Sequence, residues 1–181
     1  MFLRTKTSTI LTAIAISLAS TTPAFAHANI RDLSNGNYRF CVNPPVSDIA
    51  TDTELFNAGH CYLFRKTGSR LTGVLFDPST YGEVQICVTG NLNENTLTGE
   101  ALQTFYFLDT PLSVEPRYRG SIPAPWDNND FLKIANGIVV EHKQNETGIK
   151  TTIRYRTAEL NLDNFHHYNA GQFLPPASCF D

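Results

Sequence analysis

The stretch that decides the fold is residues 60–102, which read HCYLFRKTGSRLTGVLFDPSTYGEVQICVTGNLNENTLTGEAL. It contains one hairpin pattern twice, because Cys61 and the Leu-Thr-Gly triplet 71–73 recur at the same spacing as Cys87 and the triplet 97–99. Two successive hairpins in one register form a meander. The repeat therefore predicts an all-β protein whose antiparallel meander curls into a barrel or a sandwich.

Segments on both sides of this stretch also alternate between apolar and polar residues. Strands are predicted at 36–42, 131–143 and 149–158, the last two forming a hairpin. One short helix is predicted from residue 47 or 48 to about residue 57. Residues 109–129 contain four prolines and no periodic pattern. We expect them to cover an open end of the sheet or to contain a further short strand.

The first 26 residues have the features of a secretory signal peptide. A positively charged start precedes the apolar run 10–19, which is too short to span a bilayer, and Ala-Phe-Ala at 24–26 supplies a small-x-small cleavage site. A second such triplet at 26–28 leaves cleavage two residues later open. We expect residues 27–181 to form a single β domain that is secreted or periplasmic.

Charge and motif content restrict the classes of function. The chain has 14 basic and 17 acidic residues, which argues against nucleic acid as a partner. After the signal peptide no apolar run is long enough to span a membrane. Nucleophile-elbow, zinc-protease and phosphate-loop motifs are absent, so we expect a protein that binds rather than an enzyme. Glu100 is expected at a sheet edge or paired with an arginine across strands, rather than inside a barrel as an acid.

Four cysteines in an exported protein predict two disulfides. Of the three possible pairings we favour Cys41 with Cys61, across the short helical loop, and Cys87 with Cys179. Three of the four cysteines alternate in phase with polar residues. The disulfides are therefore expected on the outer skin of the sheet, not in its core.

Four short segments are distinctive: GNYRFC (36–41), LFRKTG (63–68), ICVTG (86–90) and YNAG (168–171). They resemble segments of small secreted β-meander proteins of photosynthetic bacteria, in a resemblance that extends over most of the mature chain. The resemblance implies the same fold and transfers no activity. The strands are also loosely similar to the up-and-down barrels of lipocalin-like and avidin-like proteins. The lipocalin Gly-x-Trp signature is replaced by Gly-Asn-Tyr at 36–38, so no ligand residue is carried over.

Four aromatic residues share the predicted inner face of the sheet, where they would line a ligand cavity or pack as an ordinary core. The leading hypothesis is a non-enzymatic barrel that binds a small molecule. The alternative is a structural or interaction protein of the cell envelope, which would use residues 109–129 or the arginine pairs at 117/119 and 154/156 as a contact surface. The four predicted ligand-binding residues are Tyr38, Tyr62, Phe64 and Tyr155.

A third hypothesis is a copper site at the mature N-terminus. If cleavage follows residue 26, the α-amino group and imidazole of His27 would chelate Cu(II) together with a second histidine. His166 and His167 are neighbours, so in a strand they point to opposite faces and cannot share one ion. The possible second ligands are His60, His142, His166 and His167.

Overall fold

The computed structural model describes residues 29–46, 55–80, 85–107, 131–145 and 148–180. These residues form eight strands and two single 3-10 turns, at Ile30–Asp32 and Pro78–Thr80. No helix in this part of the chain is long and apolar enough to cross a membrane. The strands are β1 (Gly36–Cys41), β2 (Cys61–Thr67), β3 (Arg70–Phe76), β4 (Gln85–Asn93), β5 (Thr96–Phe107), β6 (Leu132–Asn145), β7 (Gly148–Asn161) and β8 (His166–Tyr168).

All eight strands belong to one antiparallel sheet in the order β6-β7-β5-β4-β3-β2-β1-β8. Strands β1 to β5 are neighbours in chain order, as the repeat predicted for β2 to β5, and the β6–β7 hairpin adds to β5 through β7. The all-β antiparallel fold with two disulfides is therefore confirmed. The predicted signal peptide and residues 109–129 lie outside the described residues. So does most of the predicted helix, of which the structure describes only the end, with helical residues at 55–56.

The sheet curls back on itself. In a flat sheet, β7 and β8 would be six strand spacings apart, roughly 29 Å. The chain from Asn161 at the end of β7 to His166 at the start of β8 can span roughly 18 Å at most. The Phe131 ring, next to β6, contacts both Phe165 at 5.4 Å and His60 at 5.3 Å. Between the described residues of β6 and β8 there is no ladder, so hydrogen bonds do not close the barrel.

Glycines make the curl sterically possible. Gly90 of β4 lies opposite Gly99 of β5, and a Cβ atom on Gly99 would lie 2.1 Å from the Thr89 carbonyl oxygen. A Cβ atom on Gly73, the glycine of the first triplet, would lie 2.5 Å from the Phe64 Cβ atom. The backbones therefore approach more closely than any side chain allows. The repeated Leu-Thr-Gly triplets mark the places where the sheet bends.

The inner face of the curled sheet forms one continuous core. Ile30, from the turn before β1, is fully buried in it, and its N–H donates to the Asn95 side chain at 2.9 Å. The backbone carbonyl of Asn95 accepts from the N–H of Leu162, so the β4–β5 turn anchors both segments. Strand residues that contribute to this core include Phe40, Tyr62, Phe64, Leu71, Leu75, Ile86, Val88, Leu97, Leu132, Ile153, Tyr155 and Leu160.

Strand β6 contains two irregularities, of which only the second changes which residues face inward. Asn136 has a φ of +59°, but Ala135 and Gly137 on either side of it pair with Thr157 and Tyr155, so the alternation continues there. Strand β6 has a second irregularity between Val139 and Glu141, which leaves Val140 outside the ladder. Consequently His142 pairs with Thr151 on the inner face. Strict alternation would place His142 on the same face as Ile138, but the bulge at Val140 reverses the alternation.

The favoured disulfide pairing is confirmed, since Cys41 bonds Cys61 and Cys87 bonds Cys179. The described residues include no free cysteine. Both bonds lie on the outer face, as expected, but Cys41 and Cys61 are fully buried there. Ala58 and Tyr168 pack against them in a second small cluster, so the outer face is covered at this place rather than exposed.

Candidate functional site

Three of the four predicted ligand-binding residues lie together at the β1–β2 side of the core. The Tyr62 and Phe64 rings stack at a centroid distance of 5.0 Å, and Tyr38 contacts Phe64 at 5.7 Å. Phe40 extends this aromatic cluster to the ring of His167 on β8, at 5.2 Å. The fourth predicted residue, Tyr155, lies on β7 in the other part of the sheet.

Each of the three tyrosine hydroxyls is hydrogen-bonded within the protein. The Tyr62 hydroxyl donates to the Val88 carbonyl oxygen at 2.8 Å, and burial raises the pKa of Tyr62 well above its usual value. The Tyr38 hydroxyl donates to the Ser34 carbonyl oxygen at 2.9 Å. The Tyr155 hydroxyl donates to the Gln103 side-chain oxygen at 3.2 Å. The hydroxyl groups of these tyrosines are therefore already hydrogen-bonded within the protein, and their rings contribute apolar surface to the core.

Among the described residues of the inner face, Gln103 has a buried side-chain atom without a hydrogen-bond partner. Its side chain is fully buried on β5, and its Nε2 atom has no hydrogen-bond partner. Its neighbours in the ladder, Ile86 on β4 and Ile153 on β7, are both buried and apolar. If the amide were rotated so that Nε2 met Tyr155, the oxygen would lack a donor instead. One end of this amide thus faces an apolar interior without a protein partner.

Gln103 lies near the end of the full-width sheet. Strand β4 begins at Gln85, opposite Thr104, and among the residues that the structure describes only β5, β6 and β7 continue beyond this point. The inner face of this three-stranded extension carries Thr151, whose hydroxyl is 3.0 Å from Nδ1 of the exposed His142. The unpartnered amide is therefore next to the end of the sheet where polar side chains begin.

The sequence interpretation did not select Gln103, although a signal was present. Gln103 alternates in phase with Leu97 and Ala101, both of which are fully buried. A glutamine at an inward position of a strand is a buried amide that must find partners. That signal was available without the structure.

Histidines are dispersed in the part of the chain that the structure describes. His27, the residue on which the copper hypothesis depends, lies outside it. Burial lowers the pKa of His60, and the nearby charge of Asp77 partly opposes this. His166 and His167 pair with Cys41 and Phe40, and so lie on opposite faces. Within the described residues no three His, Cys, Asp or Glu side chains are grouped to hold a metal ion.

The arginine pairs are only partly described. Arg154 donates through Nη2 to both carboxylate oxygens of Glu100 at 2.9 Å, which confirms the expected pairing across strands. The guanidinium carbon of Arg154 lies 4.4 Å from the ring centroid of Phe180. Arg156 is exposed, and the pair at 117/119 lies outside the described ranges. Arg154 is thus not free to act as a contact surface.

One charged cluster on the outer side of the β6–β7 hairpin gives a pH-dependent prediction. Glu141 pairs with Lys143 and with Lys150, and the hydrogen bonds from these two lysines lower its pKa to about 2. Because the folded-state pKa is lowered, the contribution of the pairs to stability is present above the unfolded-state pKa and is lost as the pH falls toward 2. We expect a carboxyl titration by NMR to give a Glu141 midpoint near 2.

Substitution of the two lysines tests the cause of this shift. In a Lys143→Ala/Lys150→Ala variant the Glu141 midpoint should rise toward its ordinary value of 4.5. Lys133→Ala, which removes the partner of Glu159 on the same hairpin, should leave it unchanged. A Glu141 midpoint near 4.5 in the wild-type protein would contradict the pairing.

Comparison of the chain with protein-family models, with curated proteins and with solved structures gives no match. The functional argument therefore depends on the residues themselves.

Proposed function

We propose that this protein is an extracytoplasmic, non-enzymatic binding protein that holds a small molecule against the inner face of its curled sheet. The observation that carries the proposal is the buried Gln103 amide with one unpartnered end. Two disulfides support an oxidising compartment, in agreement with the predicted export signal.

The energetics favour a ligand with one polar group. A buried donor that lacks an acceptor costs about 1–3 kcal/mol, and a ligand oxygen at Gln103 would remove this cost. The surrounding walls are apolar and aromatic, as in most small-molecule sites. The proposed ligand is therefore small and mostly apolar, with a carbonyl or hydroxyl oxygen that accepts from Nε2. Tyr155 fixes the amide orientation through its hydroxyl.

A double variant separates binding from folding. Gln103→Leu/Tyr155→Phe removes both polar groups of the pair and keeps the apolar shape. Since removing both partners is nearly neutral, the free energy of unfolding should change by no more than about 1 kcal/mol. Binding of small ketones and alcohols, screened by thermal shift and NMR, should weaken about tenfold or more because the anchoring hydrogen bond is lost.

A matched control lies on the opposite face of the same two strands. Thr104→Val/Thr152→Val removes the outer-face hydroxyl pair, which is separated by 3.2 Å, and should leave binding unchanged. The proposal is wrong if no compound of this class binds the wild-type protein, or if binding survives the loss of Gln103 and Tyr155. It is also wrong if the amide proves to be satisfied by a water molecule that no compound displaces.

A further inference from the structure

Arg39 is a buried cation on the outer face of β1. Its side chain is only 3% exposed, between Leu63 of β2 and Tyr168 of β8 in the same row of the ladder. The C-terminal tail covers it, and Arg39 Nη2 donates to the Ala170 carbonyl oxygen at 2.8 Å. The ring centroid of Phe173 lies 5.7 Å from the guanidinium carbon. Arg39 is thus enclosed by strands below and by the tail above.

The charge of Arg39 has no counter-charge in the described chain. Its Nε atom is buried without a hydrogen-bond partner, and the bond to Ala170 uses one of five donor hydrogens. No carboxylate among the described residues forms an ion pair with it. Arginine does not lose its proton in proteins, so the buried charge persists and costs several kcal/mol unless an anion joins it. This is the pattern of an incomplete ion pair.

Arg154 shows the same arrangement with a carboxylate partner present, although its Nε atom, like that of Arg39, is buried without a hydrogen-bond partner. Arg39 and Arg154 lie on one continuous row of directly opposed residues that crosses the outer face, and a phenylalanine of the tail lies over each of them. Arg154 has Glu100 as its carboxylate partner, whereas the corresponding partner of Arg39 is missing. The row consists of Tyr168, Arg39, Leu63, Val74, Cys87, Leu102, Arg154 and Ile138.

The tail beside Arg39 presents apolar surface to solvent. Phe173 is 67% exposed and Leu174 is 73% exposed, although both are large and hydrophobic. An anion that reaches Arg39 from the tail side would meet Phe173, whose ring centroid is 5.7 Å from the guanidinium carbon, and Leu174 follows it in the chain. A ligand with a carboxylate at one end and an apolar body would satisfy the cation and cover the exposed pair at the same time.

We propose that Arg39 anchors a binding site on the outer face for a small apolar monocarboxylate, whose carboxylate occupies the place that Glu100 has beside Arg154. The apolar part of the ligand packs on Phe173 and Leu174. This site is separate from the interior site at Gln103 and does not depend on it.

The test uses the full chain with both disulfides formed and octanoate and benzoate as probes. Octanoate should shift the Nε–H resonance of Arg39 in the wild-type protein and raise the melting temperature. Arg39→Gln should weaken octanoate binding at least tenfold. Arg65→Gln, an exposed arginine on the adjacent strand, should leave it unchanged. A Phe173→Ser/Leu174→Ser variant should bind octanoate more weakly and acetate as before, because only the apolar contact is removed.

Several results would overturn the proposal. The proposal is wrong if octanoate binds Arg39→Gln as tightly as the wild-type protein, or if octanoate at about 1 mM fails to shift the wild-type Arg39 resonance. If sulfate, acetate and octanoate bind equally well, the apolar part of the ligand contributes nothing to binding, and the proposed role of Phe173 and Leu174 is wrong. If Arg39→Gln does not fold, Arg39→Lys replaces it, because lysine keeps the positive charge but lacks the planar guanidinium that binds a carboxylate through two hydrogen bonds. The shift of the Arg39 resonance is measured on the wild-type protein and so does not depend on any variant.

Discussion

Gly99→Ala is expected to lower the free energy of unfolding by about 3 kcal/mol. The new Cβ atom would lie 2.1 Å from the Thr89 carbonyl oxygen and 2.6 Å from the Gly90 Cα atom. Both obstacles are backbone atoms of the neighbouring strand, so no side-chain rotation relieves the contact. The β4–β5 ladder must open or shift instead, and with it the bend that curls the sheet. Urea unfolding of the disulfide-intact protein measures this difference.

Gly36→Ala is the matched control for this substitution. Gly36 also lies in a strand, and its Cβ atom would meet the Tyr38 ring at 3.4 Å, an ordinary contact. We expect a change of less than about 1 kcal/mol there. If Gly99→Ala costs no more than Gly36→Ala, the close approach of Gly90 and Gly99 is not what bends the sheet.

The parts of the fold that follow local periodicity were predictable from the sequence. The repeat 60–102 specified the order of strands β2 to β5, because consecutive hairpins leave few other pairings. Alternation also assigned Tyr62, Phe64 and Tyr155 correctly to the buried face. The position of β7 between β5 and β6 was not predictable, because the residues of a hairpin do not determine which of its two strands pairs with the rest of the sheet.

Features that depend on one inserted residue or on distant contacts were not predictable. The bulge at Val140 reverses the alternation, so His142 and Ile138 lie on opposite faces, whereas strict alternation would place them on the same face. The burial of Cys41 and Cys61 depends on Tyr168, more than a hundred positions along the chain. Arg39 gave no signal, because nothing in a strand of alternating residues shows that the tail returns to cover it. Candidate sites of this kind arise from tertiary contact alone.

Loss of the Cys87–Cys179 disulfide should destabilise the protein by about 4–5 kcal/mol. The bond joins cysteines 92 positions apart and therefore constrains most of the unfolded chain. In the folded state the tail also has contacts of its own, from Ala170 to Arg39 and from Phe180 to Arg154. A Cys87→Ala/Cys179→Ala variant should therefore fold to the same structure, with the loss seen in the free energy of unfolding.

The other disulfide provides the comparison that tests this reasoning. Cys41 and Cys61 are 20 positions apart, so loop-closure entropy predicts a smaller loss of about 3 kcal/mol for Cys41→Ala/Cys61→Ala. This pair is fully buried, however, and its removal also leaves a cavity beneath Tyr168. Hydrogen exchange at β8 distinguishes the two terms, because a cavity increases local opening whereas unfolded-state entropy does not. The loop-entropy explanation is contradicted if removal of Cys87–Cys179 lowers the free energy of unfolding less than removal of Cys41–Cys61 does, while hydrogen exchange at β8 is unchanged in both variants.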